Sequence, residues 1–211
     1  MIKIEFFHDV ICSYCFPMSA RMRRIAKKYN NIEIIHRSFA LAWENEDFIR
    51  EFGSREAVKP EVVGHWVHAN QNDEDHRFNI EGMRQTDFTF PISKPGLKAA
   101  KAAGLIGGDS MYWEMFDRIQ NKLFVENKNI EDVTVLEEAV KETSISFSDW
   151  KEQFENEETE KAVLADFELV QAYGVSSVPT LVINQKYMVA GAVSQEEIEK
   201  LLEKVLKEEG A

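Results

Sequence analysis

Strand-like sequence occurs only near the two ends of this chain, and that distribution limits the possible folds more than any other feature. Residues 2–7, 32–39, 180–183 and 187–190 are short runs rich in β-branched and aromatic residues. Residues 12–29, with Met18, Met22 and Ile25 on one face, predict a helix between the first two strands, ended by Asn30-Asn31. Two strands flanking one helix make a β-α-β unit with parallel pairing and a right-handed crossover. Asn184-Gln185-Lys186 is short enough to join the last two strands as an antiparallel hairpin. Residues 194–207 then open with Ser194 and Glu197 at capping-box spacing and bury a stripe of Ile198, Leu201, Leu202 and Val205. The order is β-α-β, a helical block, then β-β-α.

Within the helical block, Pro60 suits the first turn of a helix running to about Ala69, and Ser93 with Pro95 opens another. Gly107-Gly108-Asp109 separates that helix from residues 110–125. Helices are also expected at 132–143, 148–154 and 158–173, the last closed by Gly174. Trp66, Trp113 and Trp150 fall in these stretches and read as packing residues. The Gly107-Gly108 pair has no following Lys-Ser/Thr, so it reads as a helix boundary and not as a phosphate loop.

Composition narrows the function. The 211 residues carry a formal net charge of −12, which argues against nucleic acid and anionic membranes, since both need a basic face. No apolar run approaches the roughly 20 residues of a membrane span. Residues 1–7 enter strand-like sequence directly, with no basic stretch and apolar run of a secretory signal, and a cytoplasmic protein is expected. The chain has 2 cysteines, too few for a disulfide-stapled scaffold.

Both cysteines sit in Cys12-Ser13-Tyr14-Cys15, between the first strand and its helix. A helix start leaves backbone N–H groups unpaired, and thiols placed there ionise more readily than free ones. Two intervening residues bring Cys15 one turn beneath Cys12, within disulfide reach. Cys12 reads as the exposed attacking thiolate and Cys15 as the deeper thiol that resolves the mixed disulfide. A competing reading makes the pair half of a zinc site with His65 and His68, but that histidine spacing and distance fit zinc modules poorly. His8 and His36 read as sheet residues, with His8 able to tune Cys12 if it faces the site. Neither a prosthetic group nor a metal is expected.

The segment Gly174-Val175-Ser176-Ser177-Val178-Pro179-Thr180 puts a proline immediately before the third strand. A strand-start proline in trans is the ordinary reading, because proline cannot donate to the ladder.

Taken together, Asp9-Val10-Ile11-Cys12-Ser13-Tyr14-Cys15, Arg37-Ser38-Phe39-Ala40-Leu41 and the Val178-Pro179-Thr180 loop resemble the DsbA-like thioredoxin-fold oxidoreductases, in particular the cytosolic FrnE-like branch. The resemblance covers residues 2–206. It implies an α/β, thioredoxin-like fold with a large all-helical domain inserted between the second and third strands: a thioredoxin-like domain at 1–42 and 174–211, and a helical insertion domain at 43–173. It also implies a cis Val178–Pro179 bond lying against the cysteine pair, with Ser13, Tyr14, Val178 and Pro179 shaping the active site around catalytic Cys12 and Cys15. Two positions depart from the family. Ser13 stands where these proteins often carry proline, and Glu5 lies seven residues before Cys12, where periplasmic members hold an acid six before. Asp9, three before Cys12, matches the FrnE-like pattern.

The expected function is thiol–disulfide exchange, in the reductive or isomerising direction in a reducing compartment. The expected partners are protein or small-molecule thiols and disulfides, glutathione being one candidate. A glutathione-dependent transferase or isomerase of the kappa type shares the fold, although such relatives usually carry serine where Cys12 stands. A non-enzymatic adaptor that grips its partner through the helical block is the alternative from another class.

Overall fold

A computed structural model describes residues 1–209 of the chain. β1 (Ile2–His8), α1 (Cys15–Lys28) and β2 (Ile32–Ser38) form the first unit, and β3 (Thr180–Ile183), β4 (Tyr187–Ala190) and α9 (Gln195–Glu209) the last. The four strands make one sheet in the order β2-β1-β3-β4. β1 runs parallel to β2, while β3 is antiparallel to both β1 and β4. Asn184 and Gln185 carry φ of 50° and 55°, the paired left-handed conformation whose twist suits a tight hairpin. At the start of α9, Ser194 N–H and hydroxyl donate to Glu197 Oε2 and the Ser194 hydroxyl accepts from Glu197 N–H, the reciprocal cap the spacing predicts. Ile2, Ile4, Phe6, Met18, Met22, Leu181, Ile198 and Leu202 are buried together between the sheet, α1 and α9. The sequence therefore places both helical stripes on the same sheet face.

Seven helices lie between β2 and β3: α2 (Asn45–Phe52), α3 (Arg55–Asn72), α4 (Ile80–Gln85), α5 (Lys94–Phe124), α6 (Val133–Lys141), α7 (Phe147–Glu155) and α8 (Glu157–Tyr173). This is the thioredoxin-like α/β fold with a large helical insertion. The insertion encloses Trp66, Phe78, Phe90, Phe116 and Phe124, and the same apolar cluster takes in Val10, Ile11, Cys12, Cys15 and Phe16 from the end of β1 and the start of α1. Trp66 and Trp150 are fully buried and Trp113 nearly so. Removing an aromatic of that size from such a core costs about 3–5 kcal/mol. The cluster that holds the helices together therefore also backs the cysteine loop.

Several local expectations shift. α3 starts at Arg55, because Ser54 caps it by accepting from Ala57 N–H, which leaves Pro60 inside the helix. α2 and α4 are short helices that residue periodicity did not reveal. Glu44 and Asp47 cap α2 through a capping box built from carboxylates. The Gly107-Gly108 break is present inside α5: Gly107 has φ −137° and Gly108 φ +70°, the left-handed region that glycine enters without strain. Gly174 ends α8 at φ +67°.

Candidate active site

α1 begins at Cys15, so Cys12, Ser13 and Tyr14 occupy the turn leading from β1 and not the helix itself. Tyr14 stands at the N-cap without a side-chain cap, which leaves the first-turn N–H groups open to other partners. The Cys15 N–H lies 3.2 Å from Cys12 Sγ, while also bonding Cys12 O at 3.1 Å. One helix-start N–H is thus shared between the carbonyl and the sulfur of Cys12. On its other side, Cys12 Sγ lies 3.5 Å from Val178 O and donates to it when protonated. Each protonation state of Cys12 therefore has its own backbone partner.

Cys12 is less open than the sequence suggests, at 5 % fractional exposure, and Cys15 is fully buried. The reason is the insertion, whose helices wall the loop. Burial, together with a hydrogen bond from its own thiol to Cys12, pushes the Cys15 thiol well above its ordinary value, and the Asp9 backbone works weakly against this. Cys15 is thereby held as a protonated donor beneath Cys12.

Sheet register accounts for the arrival of the distant loop. Phe7 pairs with Thr180, so the end of β1 and the start of β3 lie side by side, and the segments flanking them must meet. The Val178–Pro179 bond is cis. Pro179 is buried, and its carbonyl accepts from Gly191 N–H at 2.8 Å, while Thr180 Oγ1 donates to Ser177 O at 2.8 Å. Cys12, Ser13, Tyr14 and Val178 line one cleft of about 240 Å³, together with Leu41, Phe48 and Phe90.

Three polar side chains hold the cysteine turn: Asp9, already part of the motif, Ser93, expected only as a helix start, and Gln120, which motif reading left aside. Asp9, fully buried, accepts from Leu41 N–H at 2.7 Å, Ser93 Oγ at 2.6 Å and Ile11 N–H at 3.3 Å. Burial raises its carboxyl from 3.8 to about 6, against the lowering effect of those hydrogen bonds. Ser93 precedes α5 at the cap position, but its hydroxyl serves Asp9 and not the helix. Gln120 on α5 donates through Nε2 toward Asp9 O at 3.3 Å, Val10 O at 3.5 Å and Cys12 O at 3.3 Å. One signal for Gln120 is in the sequence: helical spacing puts it on the face of α5 that carries Phe116, Leu123 and Phe124.

The histidines fall elsewhere. His8 Nε2 and His36 Nδ1 are 3.1 Å apart in the core, where His8 stacks on Phe6 with ring centroids 4.4 Å apart. His8 is not part of the cleft wall. Burial is the main cause that lowers both imidazoles, His36 to about 3. His65 lines the cleft from α3. Glu5 is tied to Arg37 Nε at 2.7 Å and to the Tyr173 hydroxyl at 2.6 Å, a structural anchor between β1, β2 and α8.

A thioredoxin-type sheet that presents a Cys-x-x-Cys turn against a cis-proline loop defines a class of proteins, those built for thiol–disulfide chemistry. The chain belongs to the DSBA-like thioredoxin domain family, whose model matches residues 3–203. It is similar in structure to a protein of Nitrosomonas europaea, with TM-score 0.78 and 19 % identity over 98 % of both chains. It is also similar to the cytosolic disulfide reductase DsbM of Pseudomonas aeruginosa, with TM-score 0.76 and 17 % identity over 97 % of this chain and 98 % of that one. That reductase has been solved with GSH as well. Among curated proteins the chain is 29 % identical over 126 residues to the ClpXP adapter protein SpxH of Bacillus subtilis. The match takes in 56 % of this chain and spans less than half of SpxH, 42 % of its length.

Proposed function

We propose that this chain is a cytosolic dithiol–disulfide reductase or isomerase of the FrnE-like branch, with Cys12 as attacking sulfur and Cys15 as resolving thiol. The Cys15 N–H aimed at Cys12 Sγ is the observation that carries this reading, since it gives one sulfur of the pair a backbone donor while burial keeps the other protonated. The Cys12 thiolate attacks one sulfur of a substrate disulfide, forming a Cys12–substrate disulfide, and the other substrate sulfur leaves as a thiolate that takes a proton from solvent. Cys15 then loses its proton and attacks Cys12 Sγ, releasing the second substrate thiol. Two electrons pass to the substrate, and the Cys12–Cys15 disulfide is returned to dithiol by a reducing thiol of the compartment. Val178 and Pro179 shape the edge along which an extended substrate segment would lie, with Ser13 and Tyr14 setting the redox poise of the pair.

No helix among the described residues is long and apolar enough to cross a membrane, which accords with the proposed cytoplasmic location. The proposed division is a thioredoxin-like domain at 1–42 and 174–211 that carries the pair, and a helical domain at 43–173 that covers it. The experiment is catalysed reduction of a protein disulfide by a small dithiol. The wild type should accelerate it, Cys12→Ser should not, and equal rates with and without wild-type protein would overturn the assignment.

The partial match to SpxH supports a second reading, an adaptor that presents a bound protein through its helical face. A Cys12→Ser, Cys15→Ser double variant that retains the cellular phenotype of the wild type would favour the adaptor.

A further inference from the structure

We propose that the cleft beside Cys12 selects disulfides by charge, through Glu51, taking cationic or neutral partners and disfavouring glutathione. This rests on Cys12 being the attacking sulfur. Cys12 and Val178 line the cleft together with side chains of α2 and α3. The residues from α2 and α3 are apolar, Phe48, Phe52 and Val62, except for Glu51 and His65. No lysine or arginine lines the cleft.

Glu51 is exposed, and it forms no ion pair among the described residues. The cations near it in the chain are engaged elsewhere. Arg50 pairs with Asp47 at 2.6 Å, and Arg55 pairs with Glu131 at 2.9 Å while packing over the Phe48 ring. Lys94, which reaches α2, is shared between Glu44 and Glu160. His65 is an imidazole and not a permanent cation. The entrance to the attacking sulfur therefore carries an unneutralised carboxylate over low-dielectric walls, on a chain of net charge −12. Such a cleft concentrates cations and repels anions.

Glutathione fits that field badly. Each half of its disulfide carries two carboxylates against one ammonium, and the cleft offers neither a guanidinium nor an ammonium to receive them. A cysteine flanked by lysine, arginine or bulky apolar residues in a protein segment meets both the carboxylate and the aromatic wall. The selection acts before bond exchange, on how often a disulfide reaches Cys12 Sγ. Its chemistry remains the formation of one Cys12–substrate bond with loss of one thiolate.

The test uses the full chain with Cys15→Ser, so that the mixed disulfide accumulates. Rates of thiol release are measured with cystamine (cationic), 2-hydroxyethyl disulfide (neutral) and oxidised glutathione (anionic), each divided by its rate with free 2-mercaptoethanol. The expected order is cystamine, then hydroxyethyl disulfide, then glutathione. Glu51→Gln should shrink the normalised cystamine-to-glutathione ratio about threefold to fivefold, the effect of one charge near the sulfur at high effective dielectric. Glu51→Lys should reverse the order, and about 0.5 M salt should compress it in the parent. Equal ratios in the parent and both variants, or glutathione outpacing the neutral disulfide in the parent, would overturn the charge selection while leaving Cys12 as the nucleophile. Failure of all three disulfides to react with Cys12 would overturn the exchange reading and the selection with it.

Discussion

The backbone N–H of Cys15 and the sulfur of Cys12 are 3.2 Å apart, so the residue that would resolve the mixed disulfide also stabilises the sulfur that would form it. The helix start places a backbone donor at Cys12, and the same turn buries the Cys15 thiol. The proposed division of labour between the cysteines rests on this single geometry.

The two cysteines should therefore separate chemically. After incubation with a small disulfide, Cys15→Ser should accumulate a mixed disulfide on Cys12, whereas Cys12→Ser should stay unmodified, as read by intact-protein mass spectrometry. In the native wild type, iodoacetamide should label Cys12 well ahead of Cys15, which becomes reactive only on unfolding. Labelling of both sulfurs at one rate in the folded protein would contradict the asymmetry.

Asp9 makes a distinct contribution to stability against pH. Its carboxyl titrates near 6 in the fold and near 3.8 when unfolded, so between these values the native state binds the extra proton. Stability from this group is fully present below about pH 3.8 and declines as pH rises through 6, by a total of about 3 kcal/mol. Asp9→Asn should remove that decline. Denaturant titrations of both proteins at pH 4 and pH 7 would show it, the wild type losing stability relative to the variant at the higher pH. A difference between them that does not change with pH would refute the assignment.

The buried histidines act over the same acidic range as Asp9, with the opposite sign. His36 is lowered to about 3 and His8 is lowered as well, so the unfolded chain takes up protons below about 6.5 that the native state refuses. Stability should fall as pH drops below 6.5, by about 1.4 kcal/mol per pH unit for each histidine involved. His36→Phe, which keeps an aromatic ring against Tyr112, should flatten that acid limb by one proton's worth. An unchanged slope in the urea-unfolding free energy between pH 6 and pH 4 would count against it.

Gln120 should matter to activity although it touches neither sulfur. Replacing it with Leu leaves the carbonyls of Asp9, Val10 and Cys12 without their shared donor, a loss of about 1–3 kcal/mol. Disulfide exchange should slow as the turn loosens, and hydrogen exchange of the Ile11 and Cys12 amides should quicken. Protection equal to that of the wild type would mean that the turn holds without Gln120.

Where the interactions are local in sequence, they were legible. The strand-forming run at residues 2–7, the Ser194–Glu197 cap, the glycine break at 107–108 and the Cys-x-x-Cys turn each depend on neighbours within a few residues, and each is found near its expected place. α2 has no plain start signal because its N-terminus is capped by Glu44 and Asp47, carboxylates that also suit an exposed loop. Ser93 opens α5 at the N-cap as the sequence predicts, but its hydroxyl donates to Asp9 in a distant loop and makes no side-chain cap.

The amino-acid sequence by itself determined which segments are strands, where helices begin, and that two cysteines sit one turn apart at a helix start, all consequences of backbone preference and side-chain period. Only the tertiary structure decided what surrounds them. The pairing of Phe7 with Thr180 brings Val178 to Cys12, and the insertion carries Gln120, Ser93 and Glu51 to the cysteine turn and its cleft. These contacts join residues far apart along the chain, and those of buried Gln120 and Ser93 form because the sheet register and the shared apolar core leave such polar groups no other place to be satisfied.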